Sequence, residues 1–160
     1  MRVIGIDPGT TAIGCAIVEA SMPPRLLHAG LITIRASDTV ERLCELHHGI
    51  EAIIKKWQPE VASVEKLFFA ANTKTAMAVA QARGVILLTA GLHGISVVEY
   101  TPREIKKALT GDGSADKEQV KKMVKLTVPE ATELSARDDV FDAIASALGC
   151  CFQEKLHRKS

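Results

Sequence analysis

Four acidic side chains in this 160-residue chain stand where chemistry could be done. Asp7 closes the apolar run Val3, Ile4, Gly5, Ile6, which has no polar alternation and therefore reads as a strand covered on both faces. Pro8 cannot donate to a sheet ladder and Gly9 can take a positive φ, so the chain is expected to turn sharply with a carboxylate at the carboxyl end of a buried strand. Residues 61–65 (VASVE) repeat the design and end on Glu65. Near the C-terminus Asp139 and Asp142 are three positions apart, which makes them neighbours on one face of a helix. On a helical wheel Ala143, Ser146 and Gly149 share that face, while Val140, Ile144, Leu148 and Cys151 cluster opposite and Asp138 points away to solvent. Small residues beside the two aspartates would let that face lie close against a sheet. Taken singly, each acid has a simpler account: a turn aspartate in solvent, or an acidic first turn favoured by the helix dipole by roughly 0.3 to 1 kcal/mol. Brought together and buried, the carboxylates would raise one another's pKa. A hard divalent cation removes that conflict, and an all-oxygen donor set without His or Cys points to Mg²⁺ or Mn²⁺.

The elements that would position these acids follow from patterning. Residues 11–19 and 26–35 are rich in branched and small side chains, with a turn at 21–24, and with the first strand they predict an antiparallel meander. Ser37 or Asp38 can cap a helix through Trp57, whose apolar positions Val40, Leu43, Leu46, Ile50, Ile53 and Ile54 recur at helical spacing before Gln58-Pro59 ends it. After the Glu65 strand, Asn72 or Thr73 can cap a long Ala-rich helix to about His93, and residues 95–100 return as a strand. Pro102 fits the first turn of a helix to about Leu109, Ser114 can cap another to about Leu126, and a last helix runs from near Ala136 past Cys151. The order βββαβαβ and then three helices predicts an α/β domain with a mixed five-stranded sheet flanked by helices over residues 1–153, followed by a basic tail at 154–160.

Composition narrows the function classes. Hydrophobic residues make up 47% and charged residues 24%, which are ordinary globular values, and the length suits one domain. No basic flank precedes an apolar h-region at the N-terminus, and the charge-poor stretch 75–94 contains Gln81, Arg83 and Gly84, so it is read as a buried helix rather than a membrane span. A cytoplasmic protein without a membrane partner is the expectation. Cys15, Cys44, Cys150 and Cys151 form no Cys-x-x-Cys pair and have no histidine at zinc-finger spacing, so reduced, mostly buried thiols are expected. The formal net charge of +1 gives no global pull toward nucleic acid.

In this light the sequence closely resembles the RuvC family of Holliday junction resolvases over about residues 1–150. GIDPG at 5–9, VEKLFFAANTKTAMAVAQARG at 64–84, GDGSADKEQV at 111–120 and DVFDAIASAL at 139–148 are similar to the family's motifs, in its order. The family's catalytic acids fall on Asp7, Glu65, Asp139 and Asp142, the four already singled out. Some members carry a histidine where Asp139 stands, so this chain resembles the all-carboxylate version. The resemblance implies an RNase H-like fold and a homodimer that cuts four-way DNA junctions by symmetric nicks, acting beside the RuvA and RuvB branch-migration machinery. It also implies two-metal hydrolysis with Mg²⁺, Mn²⁺ substituting, in which one ion activates a water and the other stabilises the leaving 3′ oxygen. Asp7 would bridge the ions, flanked by Glu65 and Asp142, with Asp139 completing one site or orienting water.

The resemblance extends DNA contact to Lys106, Lys117, Arg83 and Phe68, whose ring would stack on a junction base or pry a step apart, although adjacent aromatics such as Phe68 and Phe69 are more often core. Residues 103–125 carry seven basic side chains against four acids, a modest basic stripe that is otherwise the solvated face of two helices. Lys117 is the informative member, because a cation in a helix's first turn opposes the dipole unless an anion is bound, and a phosphate would supply one. The long helix before residue 93 has few charges on any face; burial in a large core would explain that, and the family's use of it as a dimer interface is the sharper reading. Three rivals remain: another RNase H-like nuclease for branched or RNA-containing substrates, a non-catalytic junction-binding protein, and an ATP-binding domain like those of actin, Hsp70 and the sugar kinases, whose first phosphate loop GIDPGTTAIG resembles. The last would need a second domain and leaves Asp139 and Asp142 unexplained.

Overall fold

The computed structural model describes residues 1–66, 73–134 and 137–157. Strands β1 (Arg2–Asp7), β2 (Ala12–Glu19) and β3 (Arg25–Thr33) form the expected antiparallel meander. Helix α1 (Thr39–Trp57) follows, then β4 (Val61–Glu65), α2 (Thr73–Leu92) and β5 (Ser96–Tyr100). Helices α3 (Pro102–Thr110), α4 (Lys117–Thr127) and α5 (Asp138–His157) complete the chain, with one 3₁₀ turn at Pro129–Ala131. Helix α5 continues through residues 154–157, and 158–160 of the tail lie outside the described residues.

The sheet order is β3-β2-β1-β4-β5, with β4 parallel to both β1 and β5. Central placement explains why Val3 to Ile6 are apolar throughout and why Ser63 is the one polar residue from Ala62 to Val64: all are fully or almost fully buried, between a layer of α1 and α2 and a layer of α3, α4 and α5. One face of the sheet contributes Ile4, Ile6, Ala62 and Val64 to the α1/α2 core; Val3 and Val61 turn to α5. This is the mixed, helix-flanked sheet of an RNase H-like α/β fold.

Small residues bring α5 onto the sheet. The ladder pairs Ala29 with Ala16, Ala16 with Gly5, and Gly5 with Ser63, a row of short side chains across four strands. A Cβ on Gly5 would lie 2.1 Å from the Ala143 carbonyl oxygen, and one on Gly14 would lie 1.9 Å from that of Asp139. The small face of α5 therefore packs as its wheel implied, with one exception. Gly149 faces Ile105 of α3 at ordinary contact distance, because the helix has by then passed the row.

Three local expectations are corrected. Gly9 does not take a positive φ; it supplies space, since a Cβ there would sit 2.2 Å from the Ala12 carbonyl oxygen. Ser114 does not cap α4, because its N–H and Oγ both donate to Asp112 Oδ1, at 2.8 and 2.7 Å. The cap is Asp116, in a reciprocal capping box with Gln119. Helix α2 is buried on one side rather than throughout: Ala82, Ile86, Thr89 and Ala90 are buried and Val85 and Leu87 pack against the core, while Met77, Leu88 and Leu92 are exposed by 61% or more. Its segment Thr75–Leu92 is long and apolar enough to cross a membrane by length and composition, and 22% of it is buried. Packing against α1 and β5 at the edge of the layer leaves the outer face uncovered. The cap proposed at Asn72 lies outside the described residues, and for α1 the cap is Asp38, accepting from Val40 and Glu41. Cys15, Cys150 and Cys151 are buried free thiols, and Cys44 is exposed.

Candidate active site

Asp7 and Glu65 end parallel neighbours β1 and β4, on the alternate positions that face α5. Asp142 comes to them from α5, held by the contact of the next residue's carbonyl with Gly5. Together with Lys106 of α3 and Lys117 of α4, these acids line a cleft of about 320 Å³, floored by Pro102, Ile105, Val120 and Ala145. Asp139 stands one helical turn away, its carboxylate 3.0 Å from Arg137 Nη2, and its charge reaches both Asp7 and Asp142. Asp138 is exposed, as the wheel placed it.

The electrostatics are those of crowded anions. Burial, followed by the charges of Asp142, Glu65 and Asp139, pushes the Asp7 carboxyl from 3.8 up to about 7, against an opposing pull from Lys117. Glu65 is raised by burial and then by Asp142, with Lys106 and Lys117 pulling it down. Asp142 is also raised, because burial outweighs the nearby Lys117 ammonium. That ammonium lies 3.6 Å from Asp142 Oδ2 and 3.8 Å from Asp138 Oδ2, and its own pKa rises, chiefly through Asp142. The anion expected beside Lys117 is thus in the first instance a carboxylate of α5. Lys121 joins the group at 3.7 Å from Asp138.

Among the described residues no three His, Cys, Asp or Glu side chains converge closely enough to cage an ion as they stand. The donors nevertheless suit a hard divalent cation in type, being all carboxylate, and in placement, since Asp7, Glu65 and Asp142 open onto one cleft.

Of the other expected contacts, Lys106 and Lys117 border the acids. Arg83 does not: it is paired with Glu99 on β5, largely buried, and absent from the cleft lining. Phe68 and Phe69 lie outside the described residues. Two features escaped the sequence reading. The bridge from Lys117 to Asp138 and Asp142 depends on how α4 packs on α5, and its only trace is the i, i+4 spacing of those two aspartates. The buried pair Ser63 and Ser146 left a similar trace, two residues before Glu65 and four after Asp142.

Comparison with known proteins agrees with this geometry. The family model described as crossover junction endodeoxyribonuclease RuvC matches residues 3–150. The RuvC of Thermomicrobium roseum is 44% identical, over 96% of this chain and 93% of that one. The Thermus thermophilus RuvC structure superimposes with a TM-score of 0.90 at 31% identity, covering 98% of this chain and 97% of that one. T. thermophilus RuvC in complex with Holliday junction substrate gives 0.89 at 32% identity, covering 98% and 96%. With acids at two parallel strand ends and on the helix that crosses them, and with this likeness along nearly its whole length, the chain belongs to the RuvC family of crossover junction endodeoxyribonucleases.

Proposed function

We propose that this chain is a structure-selective endonuclease that resolves four-way DNA junctions by paired, symmetric nicks, hydrolysing phosphodiester bonds at the cleft formed by Asp7, Glu65 and Asp142 with Asp139 beside it. The observation that carries the reading is the gathering of these acids from β1, β4 and α5 next to Lys106 and Lys117. Family membership and a relative solved with a Holliday junction substrate support the choice of DNA.

Asp7, on the central strand and in reach of the charges of the other three, would be the principal metal ligand, with Glu65 and Asp142 flanking it. Mg²⁺, or Mn²⁺ in its place, would supply Lewis acidity toward the scissile phosphate and lower the pKa of water at the site. The residues themselves orient and neutralise. Lys106 and Lys117 meet backbone phosphates at the cleft mouth, Lys117 exchanging its carboxylate partners for the DNA anion. A groove of about 460 Å³ lined by Lys121, Lys122 and Lys125 extends the basic stripe along α4 for a junction arm. Arg83 would reach DNA only if its pair with Glu99 opened, and Phe68 is assigned a base contact on the resemblance alone.

A homodimer fits the exposed apolar face of α2 around Met77, Leu88 and Leu92, and paired nicks call for two such clefts. Family membership supports work in the cytoplasm beside RuvA and RuvB. The test is a synthetic four-way junction incubated with and without Mg²⁺, beside an Asp7→Asn variant. Metal-dependent symmetric nicks that vanish in the variant while junction binding persists are expected. Equal cutting of linear duplex would refute junction selectivity.

A further inference from the structure

Ser63 and Ser146 are 0% and 2% exposed in the otherwise apolar layer between the sheet and α5. Their Oγ atoms are 2.8 Å apart; Ser63 Oγ donates to the Ser146 carbonyl at 3.0 Å, and Ser146 Oγ lies 3.3 Å from the Ser63 carbonyl. Each hydroxyl has one proton, so two of these three contacts are hydrogen bonds at any moment. The pair bridges residues 83 apart in sequence and ties β4 to α5.

Its position matters. Ser63 precedes Glu65 by two residues on one face of β4, a separation of roughly 6 to 7 Å. Ser146 follows Asp142 by four residues, one turn or roughly 6 Å along the helix. Both carboxylates open onto the same cleft, so the serine pair sits one step behind the two acids on the two elements that carry them. The neighbouring contacts of α5 are van der Waals contacts of Ala143 and Ala147 on Gly5, which limit approach but tolerate sliding and rotation. A directional bond does not. Alanine at both positions would fill the same layer with no hydroxyl to satisfy, so the polar pair is not what apolar packing requires.

We infer that Ser63 and Ser146 are positioning residues that set the rotation and slide of α5 on β4, and so the spacing of Glu65 and Asp142 for the divalent cation. The inference rests on the metal-dependent reading above. Removing both hydroxyls together strands no partner, so Ser63→Ala/Ser146→Ala is expected to fold with a thermal midpoint close to wild type. In the DNA-free protein, Mn²⁺ affinity by calorimetry should fall about tenfold, with the Mg²⁺ concentration for half-maximal junction cleavage rising in parallel. Cleavage at saturating Mg²⁺ should be nearly retained. Unchanged Mn²⁺ affinity in the double variant overturns the inference whatever happens to stability. Should the double variant not fold, Ser146→Ala, which keeps the Ser63 bond to the Ser146 carbonyl, decides: a smaller loss of affinity supports the inference and wild-type affinity overturns it. If wild type neither binds Mn²⁺ nor cuts junctions, the nuclease reading has failed and the inference falls with it; if wild type does both, the variants test the serines alone.

Discussion

Replacing Gly5 by alanine tests the packing that brings the acids together. The added methyl would lie 2.1 Å from the Ala143 carbonyl oxygen and 2.8 Å from the Ala147 amide nitrogen, both backbone atoms of α5 with no rotamer to change. Ordinary contact begins at 3.4 Å, so β1 and α5 must part by about 1.3 Å along that vector. Asp7 is two residues from the insertion point on one side, and Asp142 is adjacent to it on the other, so the movement opens the cleft between the two acids. Overpacking of this kind costs about 1–3 kcal/mol of stability, and a displacement near 1 Å at a reacting centre costs on the order of 100-fold in rate. Urea denaturation and single-turnover cleavage of a four-way junction at saturating Mg²⁺ measure the two effects. Gly149→Ala is the control on the same helix: its methyl would meet Ile105 at 3.6 Å, so it should cut junctions at the wild-type rate. Gly5→Ala with a cleavage rate within twofold of wild type would refute the argument that this contact sets the site.

Other perturbations read different parts of the structure. The Asp7 carboxyl titrates at about 7 when folded and near 3.8 when unfolded, so the folded state holds the extra proton between those values and its contribution to stability is lost as pH rises through 7. Asp7→Asn in EDTA should therefore be more stable than wild type at pH 8, on the order of 2 kcal/mol, with little difference at pH 4; parallel stability profiles would count against the raised pKa. Lys117→Gln should weaken junction binding at low salt and lower the salt slope by about 1 in log units, and an unchanged slope would remove Lys117 from the phosphate contacts. Leu88→Asp places a charge on the exposed face of α2, where sedimentation should show a monomer; a wild-type dimer would move the interface elsewhere.

The acids were legible because their signals are local. Apolar runs marked β1 and β4 as central strands that end on Asp7 and Glu65, and i, i+3 spacing paired Asp139 with Asp142. What stayed hidden depends on elements far apart in sequence. Ser114 and Asp116 are equally good caps by composition, and only the capture of Ser114 by Asp112 decides between them. Gly5 and Gly14 look like ordinary strand glycines until α5 is laid across them. Lys117 signalled a missing anion, but a carboxylate from α5 answers first. Helix α2 carries few charges on any face, and composition cannot distinguish a face turned to the core from one left open.

The alternation along β1 also restricts how such a site can change over generations. Gly5 and Asp7 share one face, and Ile4 and Ile6 the other. Inserting or deleting a single residue between Gly5 and Asp7 would swing the carboxylate to the α1/α2 side, among isoleucines and valines with no cation within reach. A length change between Gly9 and Ala12 would leave the face of Asp7 unchanged but disturb a turn whose Thr10 and Thr11 carbonyls accept from Arg42 and from the Ile34 amide. Lineages of this protein should accordingly keep the count from Val3 to Asp7 invariant, a pattern that comparison of gaps alone would reveal.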